Sequence, residues 1–153
     1  MHIVLVEPEI PQNTGNISRT CVMTGSALHL VGELGFSIED RYLRRAGLDY
    51  WPYLTFYRYP DFDSLLEKYR DHRFYFFTTK AKKAYTEISY TNNDFLVFGR
   101  ETAGLPPQIL QHWQDNCLRI PMVDYIPRSL NLSNAVAVVV YEALRQKGFP
   151  GMK

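Results

Sequence analysis

The chain has 153 residues, 46% of them hydrophobic and 14% aromatic, which suits one domain over 1–153 with an ample core; 17 Lys and Arg against 16 Asp and Glu exclude a bulk electrostatic nucleic-acid binder but leave room for local basic patches. Two cysteines without CxxC spacing and four histidines scattered along the chain suggest neither a zinc nor a haem site, so no metal is expected. No basic leader precedes a long apolar run, and the most apolar stretch, Ala135 to Tyr141, is too short for a bilayer, so the chain reads as cytoplasmic, reduced and without a membrane partner.

The first element is a strand over His2-Ile3-Val4-Leu5-Val6, rich in β-branched residues. A Pro/Asn/Gly turn cluster, PQNTGN, comes next, and then a helical stretch ends near Gly25. Leu28 to Val31 is a second strand, after which Ser37 caps a helix through Ile38, Tyr42 and Leu43 that stops at Gly47. Thr55 to Tyr59 is an aromatic strand, and Asp61 caps a helix from Phe62 to Tyr69. Phe74 to Thr78 and Phe95 to Phe98 are strands apolar on both faces. Pro106 starts a helix with Ile109, Leu110 and Trp113 at helical spacing, and Leu118 to Ile120 is a last short strand. Ser133 caps the C-terminal helix, which stops before Gly148.

Both-face apolar strands that alternate with helices predict an α/β fold, a mainly parallel sheet flanked by helices. The segment Ala135 to Tyr141 leaves no polar face, so its helix needs cover all round, from a homodimer partner or from its own chain as a central buried helix.

Open parallel sheets bind ligands beyond the carboxyl ends of their strands. Neither GxxxxGK[ST] nor GxGxxG stands there, which argues against a P-loop enzyme and an ordinary dinucleotide fold. Three loops stand out instead: Asn13-Thr14-Gly15-Asn16-Ile17-Ser18-Arg19, then Gly99-Arg100-Glu101-Thr102-Ala103-Gly104-Leu105-Pro106, then Pro121-Met122 with Arg128-Ser129-Leu130-Asn131-Leu132-Ser133-Asn134. Singly, each has a plain structural explanation as helix cap or turn.

As a set, N-x-G-N-I-x-R, F-G-R-E-T-A-G-L-P, and R-I-P-M with S-L-N-L-S-N-A-V-A-V-V-V-Y-E resemble the three motifs of the SPOUT class of RNA methyltransferases, from Ile3 to Gly151. E-P-E-I-P-x-N-T-G-N and L-R-R-A-G-L-D-Y narrow the resemblance to the subfamily that methylates the ribose 2′-oxygen of nucleotide 34, cytidine or modified uridine, in leucine tRNAs. The resemblance implies a C-terminal trefoil knot, S-adenosylmethionine as methyl donor, tRNA bound through its anticodon stem-loop, and a homodimer that forms the active site. The sequence departs from the pattern at Arg100, where some relatives carry proline, and in the loop Val123 to Pro127. Competing readings are a 2′-O-methyltransferase for another tRNA or rRNA position, a catalytically silent RNA-binding relative, and a metabolite-binding α/β protein.

A ribose hydroxyl needs its developing negative charge stabilised, and the planar guanidinium of Arg19 suits an alkoxide or a phosphate. The resemblance places Arg19 at the reaction centre, with Glu101 and Asn131 as further catalytic candidates; the structural alternative pairs Arg19 with Glu7 or Glu101. Asn13 and Asn16 shape the loop that holds Arg19, with Gly15 supplying a conformation closed to side chains. For the donor, the resemblance implies Phe77, Gly99, Ile120, Ser129 and Leu130, with Gly99 admitting close approach of the ligand. For RNA, Lys80, Lys82 and Lys83 follow a strand near the donor site, Arg128 lies in the third motif, and Tyr85 is a candidate stacking platform; Arg41, Arg44 and Arg45, and Arg70 and Arg73 beside His72, form further basic clusters.

Overall fold

The computed structural model describes residues 1–39 and 50–153. Its strands are β1 (His2–Val6), β2 (Ala27–Val31), β3 (Phe56–Tyr59), β4 (Phe74–Phe77), β5 (Lys83–Ala84), β6 (Phe95–Phe98) and β7 (Cys117–Arg119). The helices are α1 (Pro11–Thr24), α2 (Phe62–Lys68), α3 (Pro107–His112) and α4 (Leu132–Gln146). The strands form one sheet in the order β3-β2-β1-β6-β4-β7-β5, and every ladder within it is parallel. The expected α/β architecture is therefore the observed one.

Side chains alternate across the sheet, and β1 shows how both faces are filled. Ile3 and Leu5 join Leu28, Leu30, Leu96 and Phe98 under α1 (Ile17, Cys21) and α4 (Val136, Val139, Val140, Ala143, Leu144). Val4 and Val6 face the other way, with Phe74, Phe76, Phe95 and Val97, against Leu65 of α2 and Ile109 and Leu110 of α3. Burial on two faces explains why these strands read as continuous apolar runs.

Three sequence expectations are corrected. The PQNTGN cluster is not a loop but the first turns of α1, with Pro11 at its first position; Asn13, Thr14 and Gly15 are buried helical residues, and Gly15 needs no positive φ. The cap of α4 is Asn131, not Ser133: the Asn131 side chain accepts from the Ser133 amide (2.9 Å) and hydroxyl (2.7 Å). The α4 sequence is not enclosed by its own chain either, since Val138 and Tyr141 stay 38% and 48% exposed, which rules out a central buried helix. The helix expected from Ser37 to Gly47 lies largely outside the described residues, as do Arg41, Arg44 and Arg45; Ser37 Oγ does accept from the Glu39 amide (3.2 Å). The Asp61 cap is as expected, accepting from Ser64 N (2.8 Å).

Histidines that are scattered in the sequence meet in space. His2 Nδ1 and His29 Nε2 are 2.9 Å apart, Phe95 stacks on His2 at 4.2 Å, and His72 sits edge-on to His2. Burial first, then the neighbouring His2 and Lys68 charges, pushes His29 down to about 3. Burial, the N-terminal ammonium and His72 push His2 down to about 4. Among the described residues no three His, Cys, Asp or Glu side chains are placed to share a metal ion.

Both imidazoles are thus neutral in the folded protein where the unfolded chain, with an ordinary histidine pKa near about 6.5, takes up protons. Their contribution to stability is whole above that pH and is lost as the pH falls below it toward the folded values, by up to about 1.4 kcal/mol per pH unit for fully buried His29. Thermal melts are expected to show a lower Tm at pH 5 than at pH 7, and a shallower loss in His29→Phe.

Candidate active site

Because the ladders are parallel, the chain leaves β1, β6, β4 and β7 at one edge of the sheet, and these four strands are consecutive neighbours. The loops after them enclose a cavity of about 780 Å³. From the β4 loop come Phe77, Thr78 and Lys80; from the β6 loop Gly99, Arg100, Glu101 and Leu105. After β7 come Ile120, Met122, Arg128, Ser129, Leu130 and Asn131, and Ile10 and Asn13 close the site from the start of α1. Phe77 and Phe98 stack at 4.6 Å and form an aromatic floor.

The loops are tied by polar bonds at the first turn of α1, where no side chain of the helix itself caps the free amides. Glu101 reaches in from the β6 loop to bind the two amides just ahead of the helix. Its Oε2 accepts from Glu9 N (2.8 Å), and its Oε1 accepts from Ile10 N (3.1 Å) and Asn13 Nδ2 (3.2 Å). A carboxylate there also meets the positive end of the helix dipole, a gain of about 0.3–1 kcal/mol. Glu9 reciprocates, its Oε2 accepting from Thr102 N (3.2 Å) and Oγ1 (2.7 Å). Asn131 Nδ2 donates to Asn13 Oδ1 (2.9 Å), so the third motif joins the same network.

Ten of the fourteen residues singled out in the sequence line this one cavity: Asn13, Phe77, Lys80, Gly99, Glu101, Ile120, Arg128, Ser129, Leu130 and Asn131. Four do not. Asn16 and Arg19 are exposed on α1, and Lys82 and Lys83 are exposed beyond the β4 loop, Lys83 within β5. Arg19 pairs with neither Glu7 nor Glu101; its guanidinium lies over the Tyr50 ring, 4.5 Å from the centroid. Glu7 instead pairs with Arg100 (3.3 Å). Tyr85 is half-buried, packed in part against the core. In the Arg70–Arg73 cluster, Arg70 pairs with Glu67 at the surface and Arg73 with the buried Asp94.

Gly99 lines the cavity and also answers to a packing requirement within the chain. A Cβ there would overlap the backbone of Gly104 and Leu105, which fold back through paired Arg100–Gly104 bonds (3.1 and 2.9 Å). Glu9 and Thr102 were missed in the sequence; the only hint was an acidic residue two places before the helix-starting Pro11.

The family described as the SpoU rRNA methylase family matches residues 1–141. The chain belongs to this family. It is 50% identical over 152 residues to the Escherichia coli (strain K12) protein named tRNA (cytidine(34)-2'-O)-methyltransferase, covering 99% of this chain and 96% of that one. A solved structure described as giving insights into the 2-OH methylation of C/U34 on tRNA superposes with a TM-score of 0.91 at 42% identity, covering 96% of this chain and 95% of that chain. An AdoMet-bound rRNA methyltransferase from Sinorhizobium meliloti superposes with a TM-score of 0.83 at 25% identity, covering 94% of this chain and 55% of its own.

The cavity of this SpoU family member suits a methyl donor of the S-adenosylmethionine kind. Its size lies in the range of small-molecule sites, and Phe77, Leu105, Ile120 and Leu130 give the flat apolar walls an adenine needs. Loop backbone at Gly99 and Ser129 and side chains such as Thr78 and Lys80 supply polar partners along the same wall. Among the described residues no helix is long and apolar enough to cross a membrane.

Proposed function

We propose that the protein methylates the ribose 2′-oxygen of nucleotide 34, cytidine or modified uridine, in leucine tRNAs, with S-adenosylmethionine as donor and as a homodimer. The convergence of the loops after β1, β4, β6 and β7 on one cavity lined by Asn13, Gly99, Glu101 and Asn131 carries this reading. The names of the relatives support the nucleotide. When bound, the donor supplies a methyl group made electrophilic by its sulfonium.

The residues of the chain do the rest. Phe77, Ile120 and Leu130 hold the adenine, with backbone groups at Gly99 and Ser129 alongside. Arg19 stabilises the negative charge that develops on the ribose oxygen and positions the neighbouring phosphate; a guanidinium holds its proton too tightly to serve as the base. Glu101 and Asn131 support the reaction centre from the loops behind it, with Asn13 joining them and Asn16 on the substrate side. Arg19 stands outside the cavity of its own chain, so it acts on the cavity of the partner copy. The exposed apolar residues of α4, Val138 and Tyr141, and Phe149 beside Tyr141, suit the interface such a dimer needs. The trefoil knot, the cytoplasmic location and a single domain over 1–153 belong to the same reading.

Incubation with a panel of purified tRNAs and labelled donor, followed by nuclease mapping, is expected to put the label on nucleotide 34 of leucine tRNAs; label at another position overturns the assignment. Lys80, Lys82, Lys83 and Arg128 carry the electrostatic contact with the anticodon stem-loop. Replacing the three lysines by alanine is expected to lower the slope of log affinity against log salt by about 2, with tRNA binding measured by filter retention.

A further inference from the structure

Two long helices begin at the cavity, and one string of side-chain amides joins their first turns. At one end the Ser133 amide, at the start of α4, donates to Asn131 Oδ1 (2.9 Å). Asn131 Nδ2 donates to Asn13 Oδ1 (2.9 Å), and Asn13 Nδ2 donates to Glu101 Oε1 (3.2 Å). At the other end Glu101 accepts from the Glu9 and Ile10 amides, at the start of α1.

The direction of this string is set by chemistry. A backbone N–H can only donate, so Asn131 must turn its oxygen toward Ser133 and its NH₂ toward Asn13. An ionised carboxylate can only accept, so Asn13 must turn its NH₂ toward Glu101. The two ends demand the same orientation of Asn13, whose side chain is nearly buried at 5% exposure. The residues it joins lie 88 and 118 positions away in the chain.

Resting on the methyltransferase reading, we propose that Asn13 is a positioning residue: it locks the donor-side loop bearing Ser129 and Asn131 to the start of the helix bearing Arg19. Glu101 is the anchor of this lock and not a proton acceptor for the ribose hydroxyl. Three donors already engage its two oxygens, two of them backbone amides, and their arrangement holds the carboxylate against α1.

The polarity of the string permits a swap. Glu101→Gln keeps its oxygen toward Ile10 N and Asn13 Nδ2 and loses only the Glu9 bond, whereas Asn13→Asp sets two carboxylates against each other. In Asn13→Asp/Glu101→Gln the new amide donates to the new carboxylate, whose second oxygen still accepts from Asn131, and the net charge is that of the wild type. Only the Ile10 bond, the longer of the two backbone bonds to Glu101, goes unmade.

Asn13→Asp is expected to lose about 100-fold in kcat/KM and about tenfold in donor affinity by calorimetry, Glu101→Gln only about threefold in each, and the double variant to recover to within about tenfold and twofold of wild type. A double variant no better than the poorer single one overturns the lock, as a group that touches the substrate chemically is not rescued by exchange. Asn131→Asp offers a second test, for it keeps both cap bonds to Ser133 and loses only the donor to Asn13. It is expected to melt within about 2 °C of wild type and to lose about tenfold in turnover; wild-type turnover overturns the proposal. Donor affinity separates the two readings: affinity restored by the swap without methyl transfer to any tRNA removes the tRNA assignment and leaves the lock standing.

Discussion

Arg19→Ala is expected to lower kcat by about 100- to 1,000-fold, or about 2.7–4 kcal/mol of transition-state stabilisation, while donor affinity stays within about twofold of wild type. The split follows from where the side chain stands. Arg19 is exposed in the middle of α1, outside the cavity of its own chain, and its guanidinium rests on the Tyr50 ring. Stacking on an aromatic face holds the planar fork in one orientation with its edge donors free, which is how a guanidinium meets a phosphate or an alkoxide. Arg19→Lys keeps the charge but loses the fork and the flat stacking surface, and is expected to recover less than a tenth of the lost rate. Single-turnover methyl transfer with saturating donor, beside calorimetric titration of the donor, checks both statements. Near-normal turnover of the lysine variant, with RNA binding unchanged, would remove the guanidinium from the mechanism.

Gly99→Ala is the substitution with the largest expected effect on the site as a whole. The Cβ it adds would overlap the Gly104 carbonyl and the Leu105 amide nitrogen, and these are backbone atoms held by the paired Arg100–Gly104 bonds. The β6 loop can admit the methyl group only by opening this turn, which moves Glu101 away from α1 and widens the donor wall. A cost of about 2–4 kcal/mol, or about 5–15 °C in Tm, is expected, with donor binding lost at any accessible concentration. Gly104→Ala is the informative comparison. Nothing lies within 4 Å of its added Cβ, but its φ of 70° disfavours a side chain, so a loss of about 1 kcal/mol and retained donor binding are expected. Thermal melts with and without donor distinguish the two.

Much of the fold is legible in the sequence because the forces that select it are local. Phe95 to Phe98 is buried at every position and reads as a run apolar on both faces. Asp61 caps α2 three residues before the amide it accepts from, so the signal and its partner sit in one stretch of chain. The errors fall where the partner is far away. PQNTGN looks like a turn because its own residues cap nothing; Glu101 holds the two amides that lead into the helix from the distant β6 loop, and a buried environment accepts Gly15. Asn131 and Ser133 are both good caps, and the bond between them decides which one serves. The strand Lys83–Ala84 is too short and too polar to announce itself, being made by pairing with β7.

By itself the sequence determined the class of the sheet, the order of its main elements and, through three motifs, the loops that gather the site. Periodicity and apolar runs are properties of neighbouring residues, and they persist in any arrangement that buries them. Tertiary structure alone decided which motif residues share the cavity and which stand outside it. It turned Glu101 toward α1, set Asn13 between two distant partners, brought His2, His29 and His72 together, and left Arg19 on the outer face of its helix. Hydrogen-bond direction and burial depend on what the fold brings within about 3 Å, a quantity that spacing along the chain does not contain.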